Sequence, residues 1–411
     1  MAHLLLMSFL GPDQPNQFNR LMRVLDRHEL HVLDVGQAVI HDQLTLGIVA
    51  QAPSIEAQAL AMREMLLISQ EIGLTVRFKP IEDAEHQRWV SEGGQRKYIV
   101  TVMARDLSAA KLAVATSVIS KHGFNIVNLS RLSQREGLGG SGAMSCFEFE
   151  VKGGSDQAKA LKSECLKLSS EHALDVAIQQ DNIYRRNRRL VCFDMDSTLI
   201  EQEVIVELAR AAGVYDQVHE ITERAMRGEL DFNESFAERV KLLEGLSTEV
   251  LDQIAESLTI TEGADRLIKT LSALGYRTAI LSGGFTYFAQ FIKDKLGIDE
   301  VHANTLVTKD GFVTGEVQTP IVDGERKANL LREIAQKQGI SLEQVIAVGD
   351  GANDLPMLSL AGLGVAFRAK PLVQQSANQA LSNNGLDGIL YLLGIREEDQ
   401  NRLIGVKGTG E

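Results

Sequence analysis

Cysteine is scarce: three in 411 residues, Cys146, Cys165 and Cys192, stand too far apart for a Cys-x-x-Cys or Cys/His ligand spacing. That excludes a disulfide framework and a zinc site, and it suits a reducing compartment. Positive charge is also short, with 42 Lys and Arg against 55 Asp and Glu, a formal net charge of −13. Phosphate backbones and anionic lipids select basic surfaces, so no nucleic-acid or membrane partner is expected. The one basic run, Arg185, Arg186, Arg188 and Arg189, reads as a solvated linker or helix end. No apolar run approaches a membrane span. The opening run Leu4 to Leu10 lacks a basic lead-in and a small-residue cleavage site, and Gly11-Pro12-Asp13 stops it, so it reads as a strand and the expected location is cytoplasmic. What is present, 44% hydrophobic and 24% charged residues, belongs to a globular chain long enough for two or three domains.

Hydrophobic periodicity over residues 1–81 predicts strand, helix, strand, strand, helix, strand: Leu4 to Phe9, a helix through Phe18, Leu21, Met22 and Leu25, Val32 to Ile40, Leu44 to Ala50, Ile55 to Ile72, and Leu74 to Phe78. A polar linker follows, Glu82 to Arg96, in which Trp89 is the only bulky apolar residue. Residues 97–181 repeat the order with Tyr98 to Ala104, Leu112 to His122, Ile126 to Leu132, Ser145 to Val151, Asp156 to Leu168 and Leu174 to Gln179. In both halves the first helix ends in a His and a short Val- or Ile-rich strand follows. The order βαββαβ is ferredoxin-like, an α+β arrangement. These halves resemble ACT domains, which implies edge-to-edge pairing into a homodimer and an amino-acid effector such as serine. The ligand-binding turns, Asp13-Gln14-Pro15-Asn16 and Asp106-Leu107-Ser108, lack the glycine usual there, so a structural or dimerising role stands beside the sensing one. Gly137, Gly139 and Gly142 match a dinucleotide fingerprint but lead into a strand, so they read as a hairpin loop.

From Leu190 the alternation becomes strand and helix. Leu190-Val191-Cys192-Phe193 is a short apolar run suited to a strand buried on both faces, and it ends in Asp194 and Asp196. Ligands bind at the carboxyl edge of such sheets, and two acids two residues apart in extended chain point to one side. Read alone, Asp-x-Asp-Ser-Thr is equally a turn and helix cap. A calcium loop is excluded, because its sixth position holds Leu199 and its twelfth Ile205. The next strand, Thr278 to Leu281, ends in Ser282-Gly283-Gly284 before a helix, a turn able to wrap phosphate oxygens. A Walker loop is excluded by the missing Lys. The strand Val345 to Val348 ends in Gly349-Asp350-Gly351-Ala352-Asn353-Asp354, where Asp350 can join Asp194 at a magnesium ion and Asp354 reads partly as the cap of the following helix. Lys327 begins a helix, Arg326 to Gln338. Two inserts interrupt the alternation, a helical lid at about 204–261 and a hairpin, Val301 to Val322, turning at Lys309-Asp310-Gly311.

The ordered set of Asp194-x-Asp196-x-Thr198, strand-Ser282, Lys327 and Gly349-Asp350-Gly351-x-x-Asp354 is similar to the haloacid dehalogenase superfamily. The resemblance implies a doubly wound parallel α/β sheet with a helical cap over residues 182–411, preceded by the two ACT-like modules. It implies Asp194 as nucleophile, Asp196 as general acid and base, Lys327, Ser282 and Gly283 on the phosphate, and Mg2+ held by Asp194, the Asp196 carbonyl and Asp350. A chain starting near Asn182 is then expected to fold alone.

In the lid, Phe232, Phe236, Arg239 and Leu243 fall within about sixty degrees of one helical face. A guanidinium in an apolar stripe either snorkels to solvent or awaits a carboxylate. Glu203, Ala225-Met226, Phe232 and the run Arg239 to Leu243 resemble the lid of the phosphoserine phosphatases. That resemblance implies Glu203 on the substrate amine, Arg239 on its carboxylate, Asn353 near the phosphate or substrate, and hydrolysis of phosphoserine in serine biosynthesis. Two rivals stand: a phosphatase or phosphotransferase acting on another small amino-acid phosphate, and an amino-acid sensor with a vestigial catalytic domain.

Overall fold

The computed structural model describes residues 3–92, 96–135 and 144–405, the side chains of Glu92 and Met226 apart. The glycines Gly137, Gly139 and Gly142 lie outside the described residues. The chain forms two compact units, Met1–Gln95 and Arg96–Glu411. Among the described residues no helix is long and apolar enough to cross a membrane.

The first unit holds β1 (His3–Pro12), β2 (His31–Ile40), β3 (Gln43–Ala52) and β4 (Thr75–Ile81) in the antiparallel order β2-β3-β1-β4. The helices Gln17–Arg27 and Ile55–Glu71 bury Leu21, Val24, Leu25, Ala61 and Met65 in its core. The second helix starts where the Ser54 hydroxyl accepts from the Ala57 amide at 3.0 Å. The expected linker is largely a helix, Asp83–Glu92, whose first-turn acids Asp83 and Glu85 complement the helix dipole.

Within the second unit, β5 (Lys97–Ala104), β6 (Asn125–Arg131), β7 (Ser145–Lys152) and β8 (Asp175–Gln180) repeat the order as β6-β7-β5-β8. The duplication extends to side chains. His28 and His122, at the ends of equivalent helices, each meet a glutamate of the second helix, Glu64 and Glu164, at 2.8 Å. Both modules also shift register at the same place, between Val32 and Asp34 and between Ile126 and Asn128.

The remaining chain builds a six-stranded sheet ordered β11-β10-β9-β14-β15-β16 from β9 (Leu190–Phe193), β10 (Arg277–Phe285), β11 (Glu300–Asn304), β14 (Val345–Gly349), β15 (Leu363–Phe367) and β16 (Gln379–Leu381), every pairing parallel. All four residues of β9 are buried, as the apolar run predicts. The chain runs to one side of β9 through β10 and β11 and then crosses to β14, so the crevice between β10 and β14 is a topological switch point.

Residues Val301 to Asn304, expected in the hairpin insert, belong instead to this sheet as β11. The hairpin is only β12 (Leu306–Lys309) with β13 (Phe312–Val317), turning at Asp310 and Gly311, both at positive φ. It is bonded to the helical cap, Val204–Ala211, Tyr215–Met226, Phe232–Lys241 and Thr248–Ser257. Gly245 N donates to Val313 O at 2.9 Å, Val313 N to Leu246 O at 2.8 Å and Thr248 N to Gly311 O at 2.8 Å.

The second module and the parallel sheet share one interior. Met103, Leu132, Cys146 and Ala177 pack in the same cluster as Leu381, Ile389, Leu390 and Leu392. The Gln379 amide spans β16 and β8, accepting from Ile178 N and donating to Ile178 O. The buried Asp175 carboxylate accepts from the amides of Ser382 and Asn383 and from Asn384 Nδ2. Half of the arginine run is not solvated: Arg185 is fully buried against Glu148 and Arg188 is buried too, while Arg186 and Arg189 are exposed as expected. A start at Asn182 therefore cuts through a packed interior.

Candidate active site

β9 carries its acids to the switch point. The Asp194 amide donates to Val348 O at 2.9 Å, extending the ladder by one residue. The amides of Thr198, Leu199 and Ile200 then converge on the Met195 carbonyl, turning the chain sharply, with Met195 buried in the core. Asp194 Oδ1 accepts from the Met195 amide at 2.8 Å and from Lys327 Nζ at 2.9 Å. Asp196 Oδ1 accepts from the Val204 amide, the first of the cap, at 3.2 Å. Burial, Glu203 and Asp194 together hold the Asp196 carboxyl well above its ordinary range.

Across the crevice β10 delivers Ser282 and two glycines. Ser282 is fully buried and its Oγ accepts from the Gly284 amide at 2.9 Å. A Cβ at Gly284 would lie 2.5 Å from Asp196 Oδ2, so the turn approaches the acid only because the side chain is missing. Gly283 abuts the cap, a Cβ there falling 3.1 Å from Phe232 Cζ. Phe232, Phe236 and Phe285 continue as a stack at 5.8 and 5.7 Å between ring centroids.

Lys327 is fully buried on the helix Gly324–Lys337, which Asp323 caps by accepting from the Arg326 amide at 2.8 Å. A Cβ at Gly324 would meet the Asn353 carbonyl at 2.6 Å, so glycine lets this helix start press on the β14 turn. Lys327 Nζ consequently reaches Asp354 Oδ1 at 2.7 Å as well as Asp194. Burial alone would lower Lys327, but the two carboxylates outweigh it and hold the ammonium above its ordinary value.

Asp354, which the sequence places in the motif and which reads there partly as a helix cap without a role at the site, joins the site here. It makes no side-chain cap bond to the following helix. Its fully buried carboxylate accepts from Lys327 and, at 3.0 Å, from the Gly351 amide. With Asp194 and Asp350 it forms a group offering carboxylate oxygens all within 4.8 Å of one another. Burial and Asp194 push Asp350 up to about 8, and the same causes raise Asp354. Three acids against one lysine leave negative charge uncompensated, and an all-oxygen donor set fits a hard divalent cation such as magnesium. The Asn353 side-chain amide, beside this turn, has no hydrogen-bond partner among the described residues.

The cap supplies the remaining pair. Ser197, at positive φ, donates to Glu203 Oε1 at 2.7 Å. Glu203 keeps solvent access, yet desolvation by the surrounding protein and the charge of Asp194 raise its carboxyl above the ordinary range, against the Ser197 bond and the charges of Arg239 and Lys327. Arg239 donates Nε to Ser235 O at 3.2 Å and makes no ion pair among the described residues. It is half-buried, its field reaching Glu203 and Asp196.

A haloacid dehalogenase-like hydrolase family profile matches residues 191–359, and an ACT domain profile matches residues 3–79. A protein of Mycobacterium tuberculosis named phosphoserine phosphatase SerB2 is 38% identical, across 95% of this chain and 93% of its own length. The chain belongs to the phosphoserine phosphatase family. A second relative so named, from Streptomyces coelicolor, is 37% identical over 96% of this chain and 93% of its own. Among solved structures, a probable phosphoserine phosphatase of Vibrio cholerae in its unliganded form superposes with a TM-score of 0.59 at 34% identity, covering 76% of this chain and 90% of that one. Within this family frame, the expected residues Asp194, Asp196, Ser282, Gly283, Lys327, Asp350 and Asn353 come from three adjacent strand ends and one helix start, with Glu203 and Arg239 brought by the cap.

Proposed function

We propose that the protein hydrolyses O-phospho-L-serine to L-serine and phosphate through an aspartyl phosphate on Asp194, as the dephosphorylating step of serine biosynthesis in the cytoplasm. The observation that carries the substrate is the cap pair beside the phosphate turn: a guanidinium without a carboxylate partner and a glutamate whose carboxyl is crowded. Arg239 binds the substrate carboxylate and Glu203 its ammonium group. Ser282, Gly283 and Lys327 take the phosphate, with the Asn353 amide beside them.

The Asp194 carboxylate attacks phosphorus, and the bond from phosphorus to the serine Oγ breaks. Asp196, kept protonated by its surroundings, gives its proton to the departing oxygen. The same carboxylate then takes a proton from the water that attacks the aspartyl phosphate, releasing phosphate and restoring Asp194. Lys327 offsets the charge gathering on the phosphoryl oxygens. Asp194, Asp350 and the Asp196 carbonyl would hold Mg2+, with Asp354 beside them, and the ion would supply further neutralisation of that charge. An exposed β2 edge bearing Val35, Val39 and Ile40 supports a homodimer formed through the first module, and the ACT domain profile over residues 3–79 supports a small-molecule effector there, serine in this reading.

The test is phosphate release from phosphoserine, phosphothreonine, phosphohomoserine and an ester lacking the carboxylate, with and without Mg2+. Phosphoserine should be preferred, Mg2+ required, and Asp194→Asn inactive in a folded protein. Activity of that variant within about tenfold of wild type refutes the nucleophile, and preference for another ester refutes the substrate.

A further inference from the structure

The pairing of β10 with β11 breaks where the phosphate turn begins. Leu281 pairs with His302 and Phe285 with Asn304, so the segment Ser282-Gly283-Gly284 on β10 lies opposite the single residue Ala303 on β11. A bulge of this kind removes the ladder partners of the backbone it displaces. The Gly283 carbonyl is one such group, and its partner is a side chain: Asn304 Nδ2 donates to it at 2.9 Å.

The other half of the same amide is also engaged. Asn304 Oδ1 accepts from the Val322 amide at 2.7 Å. Val322 directly precedes Asp323, the cap of the helix that carries Lys327. Between Asn304 and Val322 the chain makes its excursion through the β12-β13 hairpin, which is bonded to the cap. Asn304 thus ties both ends of that excursion to the turn that faces the phosphate. The residue is 1% exposed, so water does not replace either bond.

We infer that Asn304 is a positioning residue for the phosphoryl-transfer reaction, its amide fixing the Ser282–Gly284 turn relative to the Lys327 helix start. The position needs a donor and an acceptor on one short planar group. Aspartate has no donor and would set a carboxylate against the Gly283 carbonyl. Alanine leaves both backbone groups unpaired. The inference rests on the reading of Ser282–Gly284 as the phosphate seat.

The experiment compares the full-length wild type with Asn304→Asp and Asn304→Ala in Mg2+, measuring kcat and KM for phosphoserine, thermal melting, and affinity for orthovanadate, a trigonal-bipyramidal mimic of the transferred phosphoryl group. With the turn misplaced, kcat should fall about 10- to 100-fold and vanadate should bind more weakly by a similar factor. KM, set largely by Arg239 and Glu203, should move less than about threefold. Folded variants whose kcat stays within about threefold of wild type, or whose loss lies in KM alone, overturn the inference. So does failure of both variants to fold, which makes Asn304 architectural; if only the alanine form fails, the aspartate form decides. A wild type that turns over another ester but not phosphoserine overturns the substrate reading and leaves Asn304 to be judged on that ester. A wild type that neither binds vanadate nor releases phosphate overturns both.

Discussion

Removing residues 1–181 should destroy the catalytic fold, although every residue assigned to chemistry lies beyond that cut. The deletion takes Met103 and Leu132 out of the cluster they share with Leu381, Ile389, Leu390 and Leu392. Each such side chain represents about 1.5–3 kcal/mol of burial. It strips both bonds from the Gln379 amide and the Asp175 carboxylate from the amides of Ser382 and Asn383, at about 1 kcal/mol for each bond. It also removes Glu148 from Arg185, which, as the fourth residue of the shortened chain, turns to solvent and no longer ties the chain to the module. The combined loss is of order ten kcal/mol, as large as the whole stability of an ordinary domain. A chain of residues 182–411 should show no cooperative melt, a weak near-ultraviolet circular dichroism signal and no phosphoserine turnover. A chain of residues 96–411 keeps this interior whole and should melt cooperatively and turn over phosphoserine. If the 182–411 form melts cooperatively within about 5 °C of the 96–411 form and matches its turnover, the shared interior contributes little and the reasoning fails.

Arg239→Ala should reduce kcat/KM for phosphoserine by about 100-fold or more while changing an ester without a carboxylate by less than about threefold; steady-state kinetics on both esters checks this, and equal losses would make Arg239 structural. Asp350 is raised from the usual aspartate range to about 8, and Asp354 is raised too, so the metal-free native state holds protons that the unfolded chain has already released. Its stability should fall as pH rises from about 4 to about 8 and then level off, and saturating Mg2+ should stabilise increasingly across that window. Melting from pH 5 to 9, in chelator and in Mg2+, would refute this if the Mg2+ increment were independent of pH, with the pH span set by about those limits.

What the chain declared locally was the set of elements and the residues standing at their ends. The apolar run of β9 followed by two acids, the Ser282-Gly283-Gly284 turn and the Asp310-Gly311 hairpin each depend on neighbours a few residues away, where periodicity and turn chemistry operate. The repeat of two modules was legible for the same reason, down to the His that ends the first helix of each. Tertiary structure decided the pairings between residues far apart in the chain. Asp354 reads as a helix cap until Lys327, on another helix, reaches its carboxylate, and Asn304 reads as a hairpin residue until the bulge in β10 leaves the Gly283 carbonyl facing it. Arg185 and Arg188 read as solvated because charge predicts exposure, whereas Glu148 on β7 lets Arg185 be buried at the join between module and sheet. A local pattern reports which face of an element is buried; it does not report what that face is buried against, and the proposed phosphate seat, the acids beside it and the joined interior are all made of such contacts.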